Sequence, residues 1–128
     1  MRLEIRWLER WFGRRRKLGI GRDELLLVVL YLATGGRPCK GVKFAQLVRI
    51  VKAIDIYLGA GLYGTSVPAH FEYKLLQDIW RLEVYYVYWL GDAIYLTNAG
   101  RKRAVEIIEK LDPELVSTIK SFVEARER

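Results

Sequence analysis

Residues 84–97 carry a hairpin signal inside a chain of 128 residues that otherwise repeats its apolar positions at helical spacing. The segments 84–90 (VYYVYWL) and 93–97 (AIYLT) are rich in β-branched and aromatic residues, with Gly91-Asp92 between them. Glycine in the first turn position suits a two-residue type II′ turn. That turn sets the register: Leu90 opposite Ala93, Trp89 opposite Ile94, Tyr88 opposite Tyr95, Val87 opposite Leu96. Side chains alternate along a strand, so Tyr85, Val87, Trp89, Ile94 and Leu96 share one face. Tyr86, Tyr88, Leu90, Tyr95 and Thr97 share the other. The first face is expected in the core and the second as an exposed tyrosine cluster. A hairpin set among helices makes the fold class α+β.

The helices follow from spacing and punctuation. Asp23 is a candidate cap for an almost wholly apolar helix over residues 24–33, which should be central to the core. Gly35-Gly36 ends it, and Pro38 excludes helix just before itself. A short extended piece at 39–42 precedes a second helix at 43–54, with Phe44, Leu47, Val48 and Val51 inward. A glycine-rich turn spans 58–64. Ser66 is the expected cap, and Pro68 the first turn, of a third helix running to about residue 82. Its buried stripe is Phe71, Leu75, Ile79 and Leu82, and His70, Lys74, Gln77 and Arg81 lie on another side beside Tyr73. Helices at 99–111 and 113–125 close the chain, the last started by Asp112-Pro113 and made apolar by Leu115, Ile119 and Phe122 with Val116 or Val123.

Charge is concentrated at one end. The net charge is +7, and residues 1–22 hold eight Lys/Arg against two Glu, or +6, leaving +1 for the rest. Residues 1–17 read as an amphipathic helix: Met1, Ile5, Leu8 and Phe12 recur at helical spacing, widened by Leu3, Trp7 and Trp11. Arg2, Arg6, Arg10 and Arg14 form a basic stripe, and Gly19-Ile20-Gly21 reads as a hinge. Such an arm attracts nucleic acid or an anionic membrane surface, or it packs on protein.

The order helix, extended piece, helix, turn, helix, hairpin resembles the winged-helix (winged helix-turn-helix) regulators common in archaea and their viruses. Two segments carry the resemblance. Asp78-Ile-Trp-Arg-Leu82 matches a segment found late in the family's recognition helix. Tyr95-Leu-Thr-Asn-Ala-Gly-Arg101 matches the family's run after the wing, one residue shorter between Tyr and Leu. The resemblance covers roughly residues 23–111 and leaves the arm unexplained. It implies a winged-helix domain at 23–111, flanked by the basic arm at 1–22 and an extra C-terminal helix at 112–128. It also implies double-stranded DNA binding in transcriptional regulation, and a homodimer paired through the apolar face of 113–125.

In that frame the third helix is the recognition helix, and Ser66, His70, Tyr73, Lys74, Gln77 and Arg81 are its candidate DNA contacts. Gln pairs with adenine, and Arg or Lys with guanine. Thr65 and Ser66, at the helix start, suit phosphate. Arg101 and Lys102 begin the helix after the wing, where cations oppose the helix dipole and an anionic partner offsets that. Arg14, Arg15, Arg16 and Lys17 are the arm's candidate phosphate contacts. The turn departs from DNA-touching wings, because Asp92 repels phosphate. That departure raises the rival expectation of a protein-interaction module; a peripheral membrane protein is the third reading.

Catalysis and metal binding have little in their favour. His70 is the sole histidine and Cys39 the sole cysteine, so no Cys/His metal set is available. The carboxylates are scattered, and the glycines at 59, 61 and 64 lack the strand and Lys-Ser/Thr of a phosphate loop. No cofactor and no enzyme activity are expected. The lone cysteine and the lack of a signal-peptide pattern give a cytoplasmic expectation. A single Asn and two Gln among abundant Arg, Glu, Ile and Leu hint at a thermophilic host.

Overall fold

The computed structural model describes residues 21–58, 61–64 and 67–127. Among them are five helices and three strands: α1 (Arg22–Thr34), β1 (Val42–Lys43), α2 (Phe44–Leu58), α3 (Pro68–Leu82), β2 (Val87–Leu90), β3 (Ala93–Leu96), α4 (Asn98–Lys110) and α5 (Pro113–Glu127). The class is α+β, as expected, with one antiparallel sheet in the order β1-β3-β2. Residues 1–20 of the basic arm, including Arg14, Arg15, Arg16 and Lys17, lie outside the described residues.

α1 is the centre of the molecule. Residues 25–30 are all buried, and the helix touches the four others together with β1 and β3. That accounts for its lack of a polar face: a helix surrounded on every side gains from apolar residues at every position. Its one buried hydroxyl is satisfied, since Thr34 Oγ1 donates to the Leu30 carbonyl at 2.8 Å. The start differs from the expected one. Gly21, not Asp23, caps the helix, and the Gly21 N–H donates to Glu24 Oε1 at 3.2 Å. Asp23 is thereby free to form an ion pair across the molecule, described below.

The hairpin register is the one the turn dictates, from Val87 opposite Leu96 to Leu90 opposite Ala93. Gly91 takes φ +63, a conformation glycine adopts without strain. β1 pairs with β3, Val42 opposite Ile94, one residue beyond the expected extended piece. The expected strand at 84–90 is shorter than the sequence suggests. Val84 sits at φ +79, its N–H donates to the Val87 carbonyl, and the Tyr86 N–H donates to the Leu82 carbonyl. These turns keep residues 84–86 out of the strand, so alternation does not extend to Tyr85, which is exposed rather than inward. Val87, Ile94 and Leu96 are buried as expected, while Trp89 is half-buried against Phe44, ring centroids 5.9 Å apart. The second face is not an open tyrosine cluster, because Tyr86, Tyr88 and Tyr95 are half-buried, and Tyr88 stacks on Tyr95 at 5.3 Å.

A β-branched residue at positive φ is strained by roughly 1–2 kcal/mol. Val84 is also 88% exposed, so its side chain holds little packing. Val84→Gly is therefore expected to stabilise the protein by about 1 kcal/mol, read as a higher urea midpoint. A lower midpoint would show that the valine side chain holds the turn.

α2 runs to Leu58, past the expected residue 54, and buries Leu47, Ile50, Val51 and Ile54. α5 starts as expected, with Asp112 Oδ1 accepting from the Glu114 N–H at 3.0 Å. Its apolar face is covered within the chain: Ile119 and Val123 are buried in the common core, with the helix packed on α1 and α2. The pairing surface expected on 113–125 is thus largely occupied in cis.

Candidate nucleic-acid interface

α3 is amphipathic, and its two sides behave differently. Phe71, Leu75, Ile79 and Leu82 are buried, as their spacing predicts. Pro68 opens the helix after Val67, which holds the cap position expected of Ser66. Thr65 and Ser66 lie outside the described residues. Of the candidate contacts, His70, Tyr73 and Gln77 are exposed on one side. Lys74 and Arg81 are already engaged. Lys74 is half-buried, and its Nζ donates to the Tyr63 carbonyl at 2.6 Å. Arg81 forms ion pairs with Asp78, one turn back, and with Asp23 of α1 at 3.1 Å.

These bonds tie the turn before α3 to the helix itself. Asp55, near the end of α2, accepts from the Leu62 N–H at 2.9 Å. Tyr63 is buried, with its ring 4.5 Å from that of Phe71. Arg22 lies over the Tyr63 ring at 5.3 Å and pairs with Asp78 at 3.2 Å. Asp78 is therefore a fully buried carboxylate between two guanidiniums, with the Tyr63 phenol beside it. Arg22, which the sequence places in the arm, is the first residue of α1 and part of this cluster.

Burial holds the Asp78 carboxyl above the usual carboxylate range, outweighing the opposing pull of Arg22 and Arg81. Burial, followed by the Asp78 charge, also raises the Tyr63 phenol well above its ordinary value. A raised folded-state pKa means that the folded protein holds its proton more tightly than the unfolded chain does. The contribution of Asp78 to stability is fully present below the unfolded carboxylate pKa and is lost as pH rises through the folded value. The melting temperature of the parent minus that of Asp78→Asn is expected to be largest in acid and to shrink toward neutral pH. A difference that instead grows with pH would show that the two arginines dominate.

The residues after the hairpin have structural work. Thr97 caps α4: its Oγ1 accepts from the Gly100 N–H at 3.0 Å and donates to the Tyr85 carbonyl at 2.6 Å. Arg101 donates to the Leu96 carbonyl at 2.9 Å and to the Asn98 side chain. Arg103 pairs with Glu24 at 3.3 Å and with Glu106 at 3.5 Å. Lys102 is exposed. The run from Leu96 to Arg101 is thus a brace joining hairpin to helix, and Arg101 is committed to it. Asp92 is exposed at the hairpin tip.

The sequence reading passed over one part of this surface. Trp80 is 53% exposed on α3, and Val84 and Tyr85 stand out just beyond its end. The signal was available, since Trp80 falls outside the buried stripe at helical spacing. No helix of the described residues is long and apolar enough to cross a membrane. Comparisons with protein-family models, curated proteins and solved structures give no match to this chain.

Proposed function

We propose that the chain is a winged-helix protein that binds double-stranded DNA, with α3 as the recognition helix and the basic arm supplying phosphate contacts. The observation that carries the reading is the element order, helix, strand, helix, helix, hairpin, with β1 paired to β3 and α3 left exposed along one side. That order is compatible with the winged helix-turn-helix arrangement and supports the reading. His70, Tyr73 and Gln77 are the base-facing candidates, and Gln77 has the chemistry to pair with adenine. Lys74 and Arg81 move from direct contacts to residues that position the helix, because their charges are held by Tyr63, Asp23 and Asp78. Lys102 and the arm residues Arg14, Arg15, Arg16 and Lys17 serve the backbone. Pairing of two copies belongs to the proposal, through a surface other than Ile119 and Val123.

The test is binding of full-length protein to a random duplex pool by fluorescence anisotropy across a salt series, followed by sequencing of the bound fraction. Changing Arg14, Arg15, Arg16 and Lys17 to Ala is expected to lower the salt slope by about 3.6, at about 0.9 per phosphate contact. Changing His70 and Gln77 to Ala is expected to leave that slope intact and erase sequence enrichment. Salt-insensitive binding, or no binding, would overturn the proposal. The exposed Tyr73, Trp80 and Asp92 favour a second reading, a protein-interaction module, which a missing enrichment with intact salt dependence would support.

A further inference from the structure

Tyr73, Trp80, Val84 and Tyr85 are between 53% and 88% exposed. At roughly 100° per residue, Tyr73, Gln77 and Trp80 fall within a sector about 60° wide on α3. Val84 and Tyr85 follow directly past the helix end. Two exposed aromatic rings on one helix side form an apolar patch of the kind that marks an interaction site.

We propose that, with no DNA bound, this stripe is the seat of the chain's own residues 1–18, whose apolar side covers it and which leave it when α3 meets DNA. Three observations point to that occupant over any other. The first is the point of entry. Gly21 precedes the two residues that clasp α3, Arg22 on Asp78 and Asp23 on Arg81, and Arg81 borders the stripe next to Trp80 and Gln77. Gly21 therefore stands at the flank of the stripe, and glycine at 19 and 21 gives the preceding segment the backbone freedom to turn onto it. The second is length. On α3 the stripe from Tyr73 to Trp80 spans about 11 Å at 1.5 Å per residue, and seventeen residues wound as a helix would cover about 25 Å. The third is chemistry. The segment supplies Met1, Ile5, Leu8, Trp11 and Phe12, with a charge of +5 over residues 1–20. Away from Arg81, Glu72 on α3 and Glu83 just past its end supply carboxylates. At helical spacing Met1, Ile5, Leu8 and Phe12 share one side and Arg2, Arg6, Arg10 and Arg14 the other, so docking by the first side leaves those four arginines in water.

The test uses the full chain without DNA, so its failure is distinct from failure of the DNA reading. Cys39, exposed and the sole cysteine, is changed to Ser, and a nitroxide is attached through Glu9→Cys. The readout is the NMR indole signal of Trp80, with Trp89, half-buried on the sheet, as internal reference. Loss of the Trp80 signal with Trp89 retained is expected, and Leu8→Asp with Trp11→Asp in the tagged chain is expected to restore it. Equal broadening of both indoles overturns the proposal. So does loss of Trp80 in a mixture of labelled untagged and unlabelled tagged chains, because the occupant would then be a second copy.

Discussion

Gly100→Ala is expected to lower the melting temperature by about 10–15 °C, a loss of about 3 kcal/mol. The backbone angle at Gly100 suits any residue, and the obstacle is space. A Cβ there would lie 2.1 Å from the Tyr86 carbonyl oxygen and 3.1 Å from a Leu96 methyl. The oxygen cannot simply withdraw, because it accepts the Thr97 N–H at 2.9 Å. Thr97 in turn caps α4 through Gly100 and holds the Tyr85 carbonyl. Moving Tyr86 thus loosens the hairpin and the helix cap together, adding lost hydrogen bonds to the overlap. Gly21→Ala is the control, since a Cβ there meets nothing within 4 Å and φ is −88. Its melting temperature is expected to fall by only a few degrees, the cost of alanine at the N-cap of α1. Thermal unfolding followed by circular dichroism decides the matter, and equal melting of both variants would show that the Tyr86 strand end yields easily.

Phe71→Ala should cost about 4 kcal/mol, a large share of the total stability of a domain this size. Phe71 is 1% exposed and its ring meets Tyr63 at 4.5 Å. The deletion opens a cavity under the turn that leads into α3, where Lys74 and Asp55 hold the backbone of residues 62 and 63. Those bonds resist collapse of the turn into the gap, which keeps the cost near the top of the usual range. Glu72→Ala, the next residue but facing outward, is expected within about 0.5 kcal/mol of the parent. Urea midpoints for the pair check the assignment of the two sides of α3. Similar losses from both would mean that the side of α3 carrying Glu72 is packed.

The parts of the fold legible in the sequence are those fixed locally. A two-residue turn leaves one register that puts Val87, Ile94 and Leu96 inward, and the strands follow it. A 3.6-residue period identifies the buried side of α3 without reference to anything else. Legibility fails where distant residues compete for a group. Asp23 has the chemistry of a cap, yet Arg81, 58 residues away, takes it. Periodicity placed Lys74 and Arg81 on the polar side of α3 but carries no record of the Tyr63 carbonyl or of Asp78, which engage them. Tyr85 misled for another reason. Composition continued the strand through 84–86, whereas the turns around Val84, at positive φ, delay its start by three residues, to Val87.

The clasp of Arg22 on Asp78 and Asp23 on Arg81 has a mechanical consequence. Helix ends ordinarily fray first when a chain is pulled. Here the first two residues of α1 are bolted to the second half of another helix. Tension applied at Gly21 is therefore borne in parallel by two ion pairs and handed to α3 before α1 can unwind. A tug on the preceding segment is felt by the helix that carries His70 and Gln77, as a lever rather than as a loose thread.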